Sequence, residues 1–335
     1  MSSSMPQLEL TGARFEVIKS IESHVRENIH HLLKPINESW QPSDFLPNMT
    51  SPSWHEEISK FQEQAKALPD DVLVVLVGDM VTEEALPSYQ TWLNRLGGVT
   101  DQTGNSESAW AQWSRGWTAE ENRHGDLLNR YLYLSGRVDM RAVETTIHHL
   151  IKNGFNPQTE NDPYLGFIYT SFQERATKIS HRNVARLAVK AGEVRLQEIC
   201  GLIAGDEARH EKAYKFFMEK VFELDPAEAV RSFATMMKRK IAMPAVMMDD
   251  SQDHRLFTKF SNIAQRIGVY TVRDYAEIID DLVKHWAVGN IKGLYDAAAK
   301  AQDYLCTLAD RYHKLSERVS FAQNESFPWI FDRAV

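Results

Sequence analysis

Pairs of glutamate and histidine three residues apart are the first feature of this 335-residue chain that could bind a metal ion. The spacing Glu-x-x-His occurs three times, at residues 27–30, 121–124 and 207–210. The chain has 26 glutamates and 12 histidines, so chance alone gives roughly one such pair. A second criterion is therefore needed, and the helix face on which each pair lies provides it.

Helical geometry separates the three pairs, because residues alternately three and four apart share one face of a helix. Apolar residues flank two pairs on that face: Cys200, Ile203, Tyr214, Phe217 and Val221 around Glu207 and His210, and Trp113, Trp117, Leu128 and Tyr131 around Glu121 and His124. The third helix has its apolar stripe at Ile18, Ile21, Val25, Ile29 and Leu32, which leaves Glu27 on the opposite side. Two pairs are thus predicted to face a core, and the pair of Glu27 and His30 is predicted to be a chance match.

Two single glutamates complete a twofold pattern. Glu83 lies 38 residues before Glu121, and Glu174 lies 33 residues before Glu207. The helical face of Glu83 also carries Leu76, Met80, Leu86 and Gln90, and that of Glu174 carries Phe167, Thr170, Thr177 and His181. One glutamate on each of two helices and Glu-x-x-His on each of two others is the ligand set of dinuclear carboxylate proteins. Buried carboxylates repel one another and need cations between them. The pattern predicts a metal centre made of Glu83, Glu121, His124, Glu174, Glu207 and His210.

The donor atoms indicate which metal to expect. Four carboxylates and two imidazoles without a thiolate form a hard site, which favours iron or manganese over structural zinc, and iron is the expected occupant. Two bridged ions would lie about 3.5–4 Å apart and could bind O2 jointly. Such centres store iron, generate radicals, remove peroxide or oxidise C–H bonds, and the ligands alone do not choose among these functions. A radical protein would need a nearby tyrosine, for which Tyr214 is a candidate by spacing, although core packing is the simpler interpretation.

Long helices must carry these ligands. Turn-rich stretches separate periodic segments of roughly 25 to 30 residues, which is typical of a helical bundle. Proline directly follows Asp162 and Asp225, so each aspartate is predicted to cap a helix start. The run VLVVLV at 72–77 has strand-like propensity, but no partner strand is evident, so we predict a fully buried helix there. No linker divides the chain, and we expect one all-α domain over residues 1–335.

Composition limits the class of protein. Hydrophobic residues make up 43% and charged residues 25% of the chain, as in ordinary soluble domains. A formal net charge of −8 argues against nucleic-acid binding. Two cysteines, Cys200 and Cys306, are too few for a disulfide framework and fit a reducing compartment. No secretory signal or membrane span is evident, so we expect a soluble chain that binds neither membranes nor nucleic acids.

Five stretches of the sequence resemble one family. WTAEENRHGDLLNRYLYLSGRVDMR, ENDPYLGFIYTSFQERATKISH, GDEARHEKAY, SWQPSDFLP and GVYTVRDYAEI are similar to the plant plastid acyl-acyl-carrier-protein desaturases, the soluble stearoyl type. The resemblance implies a homodimer of eleven-helix subunits with a di-iron site in a ferritin-like four-helix bundle. It also implies that O2 and two electrons from reduced ferredoxin remove two hydrogens from an acyl chain on acyl carrier protein. The expected location is the plastid stroma, for a mature chain without its transit peptide.

The resemblance implies roles for individual residues. All six predicted ligands match the family's metal-binding positions. Thr177 would lie beside bound O2, or its hydroxyl would instead bond to its own helix. Trp40 and Asp206 would couple His124 to the surface for electron delivery, or Asp206 would only orient that histidine. The basic run of Lys238, Arg239 and Lys240 would dock the acidic carrier protein, or it is an ordinary solvated helix end.

The sequence departs from the stearoyl type around the expected acyl tunnel. Trp92 and Arg95 stand where smaller or uncharged side chains are usual, and Thr258 and Lys259 replace a more acidic stretch. The residues expected to set specificity are Trp92, Arg95, Thr159, Gly166 and Phe167. A tryptophan should shorten or reroute the tunnel, and an arginine near the mouth could shift carrier docking. We therefore hypothesise an altered chain length or bond position, such as Δ4 or Δ6 desaturation of a palmitoyl chain, against ordinary Δ9 desaturation of a stearoyl chain.

Overall fold

The described part of the chain is helical, with one isolated antiparallel β-bridge between Ser326 and Ala334. The computed structural model describes residues 12–318 and 324–335. In chain order the α-helices are Gly12–Ser20 (α1), Glu22–Leu32 (α2), Trp54–Ala65 (α3), Asp70–Glu84 (α4), Leu86–Leu93 (α5), Ala109–Ser135 (α6), Met140–Asn153 (α7), Pro163–Ala191 (α8), Val194–Leu224 (α9), Pro226–Arg239 (α10), Leu256–Arg266 (α11), Val272–His285 (α12) and Asp296–Ser316 (α13). The prediction of an all-α fold is confirmed.

The number of helices depends on how two breaks are counted. A single residue, Ile21, separates α1 from α2, and a single residue, Ala85, separates α4 from α5. Proline at Pro87 follows the second break and cannot donate a backbone hydrogen bond to continue the ladder. If each pair is counted as one kinked helix, the thirteen segments of the described residues become the eleven helices that the family resemblance implies.

Four helices, α4, α6, α8 and α9, form the bundle at the centre of the fold. α8 and α9 pack along their whole length as an antiparallel hairpin joined at Gly192, and α4 and α6 pack against each other and against that hairpin. α6, α8 and α9 have 27, 29 and 31 residues, close to the length expected from the sequence. Such lengths place several core positions on each helix, so one turn can carry metal ligands while its neighbours carry apolar packing.

The starts and ends of these helices follow from local chemistry. The Ser108 hydroxyl accepts the backbone N–H of Ala111 at the start of α6, and the Asp162 carboxylate accepts that of Tyr164, 2.9 Å away, at the start of α8. Gly192 ends α8 in the left-handed region (φ 84°), which glycine adopts without steric cost. α10 starts after Asp225 as predicted, but the carboxylate accepts the Tyr164 hydroxyl instead of capping the helix.

The apolar run at 72–77 forms a helix and not a strand. Every residue from Val72 to Glu83 is buried in α4, which makes this helix the innermost one, as the sequence analysis expected. Its β-branched side chains are tolerated because tertiary burial outweighs their weak helix propensity. Gly78 lets the Phe260 ring of α11 approach the α4 backbone closely, since a Cβ atom at this position would overlap the ring.

No helix in the described ranges combines the length and apolar character that crossing a bilayer requires. The expectation of a single domain over residues 1–335 stays a prediction.

Replacing Gly78 by alanine should destabilise the fold, because the added methyl group overpacks a site closed by the buried Phe260 ring. Overpacking of this kind costs about 1–3 kcal/mol, which corresponds to a fall of several degrees in the thermal unfolding midpoint of the purified chain. Gly201→Ala in α9 is the matched control, since a Cβ atom there meets nothing within 4 Å and the residue is exposed. Equal midpoints for Gly78→Ala and Gly201→Ala would contradict this account of the α4–α11 packing.

Candidate metal centre

The six predicted ligands lie together in the middle of the four-helix bundle. One ligand atom from each of Glu83, Glu121, His124 and Glu207 lies within 4.8 Å of the others, and the same holds for Glu121, Glu174, Glu207 and His210. α4 supplies Glu83, α8 supplies Glu174, and α6 and α9 each supply a Glu-x-x-His pair. The two groups share Glu121 and Glu207, so the arrangement offers two adjoining cation sites bridged by two carboxylates.

Four atoms of this cluster that could bind a metal ion are buried without a hydrogen-bond partner. They are His124 Nδ1, His210 Nδ1, Glu121 Oε1 and Glu207 Oε2. His124 Nδ1 lies 3.3 Å from both Glu121 Oε2 and Glu207 Oε1, and His210 Nδ1 lies 2.5 Å from Glu121 Oε1 without hydrogen-bond geometry. Leaving a buried polar atom unpaired is costly. Lone pairs converging in this way fit metal ions between them.

The pKa values of the clustered carboxylates also indicate that the cluster needs compensating positive charge. Burial raises the pKa of Glu174 well above its usual range, and neighbouring Glu121 and Glu207 raise it further. The pKa of Glu121 falls to about 2, because His124 and His210 outweigh the effect of burial. In the metal-free chain, then, the histidines act as the positive partners of the carboxylates. Metal binding has to replace those protons, since a ligating imidazole must be neutral.

A carboxylate outside the cluster fixes each of the two histidines. His124 Nε2 lies 3.4 Å from Asp206 Oδ2, and His210 Nε2 lies 3.0 Å from Glu120 Oε2. Each carboxylate stands on the helix opposite its histidine, and Arg209 donates to both of them at 2.8 Å. The contacts favour the tautomer protonated on Nε2, which leaves Nδ1 free to bind a metal.

Glu120 was not among the site residues predicted from the sequence, although a longer repeat in the sequence points to it. Residues 120–124 read EENRH and residues 206–210 read DEARH, so the repeat extends beyond Glu-x-x-His to an acidic residue before the glutamate and an arginine before the histidine. Asp206 and Glu120 occupy equivalent positions in this longer repeat. The structure shows that each carboxylate serves the histidine of the other copy.

Trp40 contacts both Asp206 and His124. Its indole Nε1 donates to Asp206 Oδ2 at 3.0 Å, and its ring is nearly parallel to that of His124 with centroids 6.0 Å apart. Arg123 stacks over the Trp40 ring and donates to the Trp40 carbonyl oxygen and to Asp206. The Trp40 side chain is thus joined by hydrogen bonds through Asp206 to a candidate ligand.

Thr177 lies one turn after Glu174 and faces the cluster region. Its hydroxyl is within hydrogen-bond distance of the carbonyl oxygens of Gln173 and Glu174, 3.3 and 3.0 Å away, so the alternative of bonding to its own helix is observed. The residue also lines two cavities that adjoin the metal centre. Tyr214 packs edge-on against Trp113 and Phe217 in an aromatic cluster, with ring centroids 5.6 and 5.8 Å away.

Two cavities and one surface groove surround the centre. An inner cavity of about 40 Å³ has Glu83, Glu121, Glu174 and Glu207 in its wall, and aromatic residues that include Trp92 and Phe155 form much of the rest. A second cavity of about 220 Å³ lies between α4, α8, α11 and the segment 241–246, and it shares Thr82, Glu83 and Thr177 with the first. The groove, of about 910 Å³, shares Trp92 and Phe155 with the inner cavity.

Three of the five expected specificity residues lie together at the groove. The Trp92 indole donates to the Thr159 hydroxyl at 2.7 Å, and Arg95 lines the groove beside them. The other two do not line these three spaces: Gly166 packs against Leu96, and Phe167 stacks on Trp110 in the core with ring centroids 5.2 Å apart. The role of Gly166 and Phe167 in specificity stays a prediction.

The basic run at the end of α10 is partly engaged within the chain. Arg239 donates to Glu160 at 2.9 Å and to the carbonyl oxygen of Gln158, and it lines the groove. The Lys238 ammonium lies over the Tyr304 ring, 5.3 Å from its centroid. Lys240 follows the end of α10 and directly precedes Ile241 and Ala242, which line the second cavity. Lys259, another departure from the stearoyl type, pairs with Asp253 at 2.6 Å.

Comparison with known proteins gives consistent relatives. Residues 13–331 match the family model described as fatty acid desaturase. The stearoyl-[acyl-carrier-protein] 9-desaturase 2 of Oryza sativa subsp. indica is 56% identical over 96% of this chain and 82% of its own. The palmitoyl-[acyl-carrier-protein] 4-desaturase 3 of Ophrys sphegodes is 54% identical over 97% of this chain and 83% of its own.

A solved structure resembles the fold at much lower identity. DesA2 of Mycobacterium tuberculosis H37Rv, described as an acyl-ACP desaturase, superposes with a TM-score of 0.54 at 18% identity. The match covers 85% of this chain and 99% of the other. At this identity the likeness concerns the fold alone.

Removing either shared carboxylate should abolish binding of a metal pair. We expect metal-free protein reloaded with Fe²⁺ to hold two ions per chain, and Glu121→Gln or Glu207→Gln to hold at most one, because each of these residues belongs to both ligand groups. Elemental analysis after desalting measures the ratio. Glu27→Gln is the matched control: Glu27 and His30 have the same spacing but are exposed. Two ions retained in Glu121→Gln would contradict the bridging arrangement.

Proposed function

The chain belongs to the fatty acid desaturase family, and we propose that it introduces a cis double bond into a saturated acyl chain carried on acyl carrier protein. One observation carries this proposal: five aromatic residues and four carboxylates of the metal centre line the same inner cavity. The cavity of about 40 Å³ has room for a short stretch of an acyl chain, and that stretch would lie against the bound metals. An iron store or a radical protein has no need of an apolar cavity at this position.

Two iron ions are the proposed cofactor: Glu83, Glu121, His124 and Glu207 would hold one, and Glu121, Glu174, Glu207 and His210 would hold the other. When bound, the iron pair supplies O2 reduction and the removal of two hydrogen atoms from adjacent methylene groups. One O2, two electrons, two protons and those two hydrogens together give two waters and the double bond. The protein's own part is to orient the ligands, hold the acyl chain and keep bulk water away.

Electrons are proposed to enter through Trp40 from reduced ferredoxin. Trp40, Asp206 and His124 form a continuous hydrogen-bonded series, and Arg123 and Arg209 hold Asp206 in place. The positive charges that face Asp206 keep its carboxylate ionised: despite burial, His124 and Arg209 lower its pKa well below the usual range. An ionised Asp206 can accept hydrogen bonds from the Trp40 indole and the His124 imidazole at the same time.

The second cavity is the proposed entrance for the acyl chain. It reaches the surface at Ala242 and Val246, which are exposed, and its buried end meets the inner cavity at Glu83 and Thr177. The groove on the other side offers a poorer entrance, because Trp92 and Phe155 stand between it and the carboxylates. Along this route Arg95 would lie beyond the methyl end of the chain and not near the mouth.

The space that the inner cavity offers beyond the metals should determine which acyl chain length is used and where the double bond forms. A stearoyl chain cut at carbon 9 has nine carbons beyond that position, whereas a palmitoyl chain cut at carbon 4 has twelve. Trp92, held by Thr159 and packed edge-on against Tyr169, limits the space beyond the metals and favours the shorter methyl-side segment. The proposal is therefore Δ9 desaturation of a stearoyl chain, and not the altered specificity that was hypothesised from the sequence. Displacement of Trp92 would join the inner cavity to the groove and admit the longer one.

The remaining partners are proposed from position and from the relatives. Lys240 directly precedes Ile241 and Ala242 of the second cavity, and Lys238 lies two residues earlier at the end of α10, so these lysines could attract the acidic carrier protein. A homodimer and a plastid location are proposed as well, the latter because the curated relatives are named chloroplastic.

Replacing Trp92 by a smaller residue should enlarge the inner cavity beyond the metals and change which acyl chain is used. In an assay with ferredoxin, its reductase, NADPH and acyl carrier protein loaded with 16- or 18-carbon chains, we expect the wild type to desaturate stearoyl chains at carbon 9. Trp92→Leu should move the product bond toward the thioester or favour longer chains, with roughly a tenfold or larger change in the kcat/KM ratio. Mass spectrometry locates the bond.

Arg95→Ala is the comparison for Trp92→Leu, because Arg95 lines only the groove. The proposed route predicts a smaller effect for Arg95→Ala on both chain length and bond position. An unchanged product and chain preference in Trp92→Leu would exclude Trp92 as the closing residue. Absence of product from either substrate, with two irons bound, would contradict the proposed activity itself.

Replacing Trp40 by phenylalanine should slow electron delivery without disturbing the centre. The phenyl ring keeps the packing on Arg123 but loses the N–H that donates to Asp206. We expect the rate of reduction by ferredoxin to fall at least several-fold, while iron content and reduction by dithionite stay unchanged. Stopped-flow absorption measures both rates. Equal slowing with dithionite would show a damaged iron site instead of an interrupted path.

A further inference from the structure

His181 contacts the metal centre from outside, and the function described so far gives it no role. It lies on α8 two turns after Glu174, is 1% exposed, and its Nε2 lies 2.8 Å from Glu83 Oε1. The other oxygen, Glu83 Oε2, faces the cluster 3.8 Å from His124 Nδ1. The two oxygens of Glu83 therefore have different partners. Oε1 is held by His181, and Oε2 is turned toward the metal position.

Glu174 shows the same division with a different donor. Its Oε1 accepts from the Trp117 indole Nε1 at 3.1 Å, and its Oε2 lies 3.7 Å from His210 Nδ1. The imidazole of His181 and the indole of Trp117 thus occupy equivalent places in the two halves of the repeat. The hydrogen bond to Glu83 is the shorter of the two, 2.8 Å against 3.1 Å. Glu83 is therefore held more closely than its counterpart in the other half of the repeat.

The ring of His181 is enclosed by the bundle. Its Nδ1 atom is buried without a hydrogen-bond partner, and the neighbouring Asp79 carboxylate is held by the Ser180 hydroxyl at 2.9 and 3.0 Å. The ring lies in the wall of the second cavity, next to Glu83 and Thr177. A polar side chain so enclosed costs free energy unless its hydrogen bond with Glu83 compensates for burial.

We propose that His181 is a positioning residue that fixes Glu83 in a metal-binding orientation, so that the subsite of Glu83 and His124 holds its ion more tightly than the subsite of Glu174 and His210. This inference rests on the proposed two-metal centre. Ligand-orienting partners outside a metal site commonly contribute 10–100-fold to affinity, which sets the size of the effect to expect. The effect requires neither substrate nor turnover.

Titration of metal-free protein with Co²⁺ tests this inference through the visible absorption of the bound ion. We expect two binding steps for the wild type, and for His181→Leu a loss of about 10–100-fold in one step with little change in the other. His181→Gln should keep most of the affinity, because its side-chain amide can donate to the same Glu83 oxygen. Trp117→Phe, which removes the donor to Glu174, is the matched variant and should weaken the other step.

Helical circular dichroism and the unfolding midpoint check that each variant folds, and His181→Met replaces His181→Leu if the latter does not. Wild-type affinities at both steps in the apolar variant would overturn the inference. So would equal losses in His181→Gln and His181→Leu, since packing and not the hydrogen bond would then explain them. A wild-type chain that binds no Co²⁺ would instead overturn the two-metal proposal, and this inference with it.

Discussion

Mutual repulsion of four buried carboxylates is the constraint on which the rest of this structure depends. Glu83, Glu121, Glu174 and Glu207 are 6% exposed or less and enclosed by one bundle. Charges so placed are tolerated only with compensating cations or protons. Among the described residues, two imidazoles lie inside the cluster, and their Nδ1 atoms have no hydrogen-bond partners. The long, continuous helices serve to hold this unfavourable arrangement open for metal ions.

Residues around the ligands turn that arrangement into a defined geometry. Glu120 and Asp206 each reach across the bundle to the histidine of the other repeat, and Arg209 links the two carboxylates. Each half of the repeat therefore orients a candidate ligand that belongs to the other half. Its two halves differ in the donors to Glu83 and Glu174, an imidazole in one and an indole in the other. A near-symmetric ligand set can thus have unequal metal sites.

Helical periodicity was sufficient to predict that the six side chains of the candidate centre face one core and that Glu27 does not, because the identity of a helix face depends only on local spacing. The all-α fold and the buried helix at 72–77 followed from the same kind of local argument. Contacts between distant segments could not be predicted in this way. Trp92 and Thr159 are 67 positions apart, and His181 and Glu83 are 98 apart. Such pairs depend on how helices cross, which the period of a single helix does not contain.

Anomalous X-ray diffraction at the iron edge, from crystals of the iron-loaded protein, would locate the bound metals directly. We expect two iron peaks about 3.5–4 Å apart, one beside His124 Nδ1 and the other beside His210 Nδ1, with Glu121 and Glu207 between them. A single peak, or iron bound elsewhere while the six side chains keep their present contacts, would exclude a two-metal centre at this position.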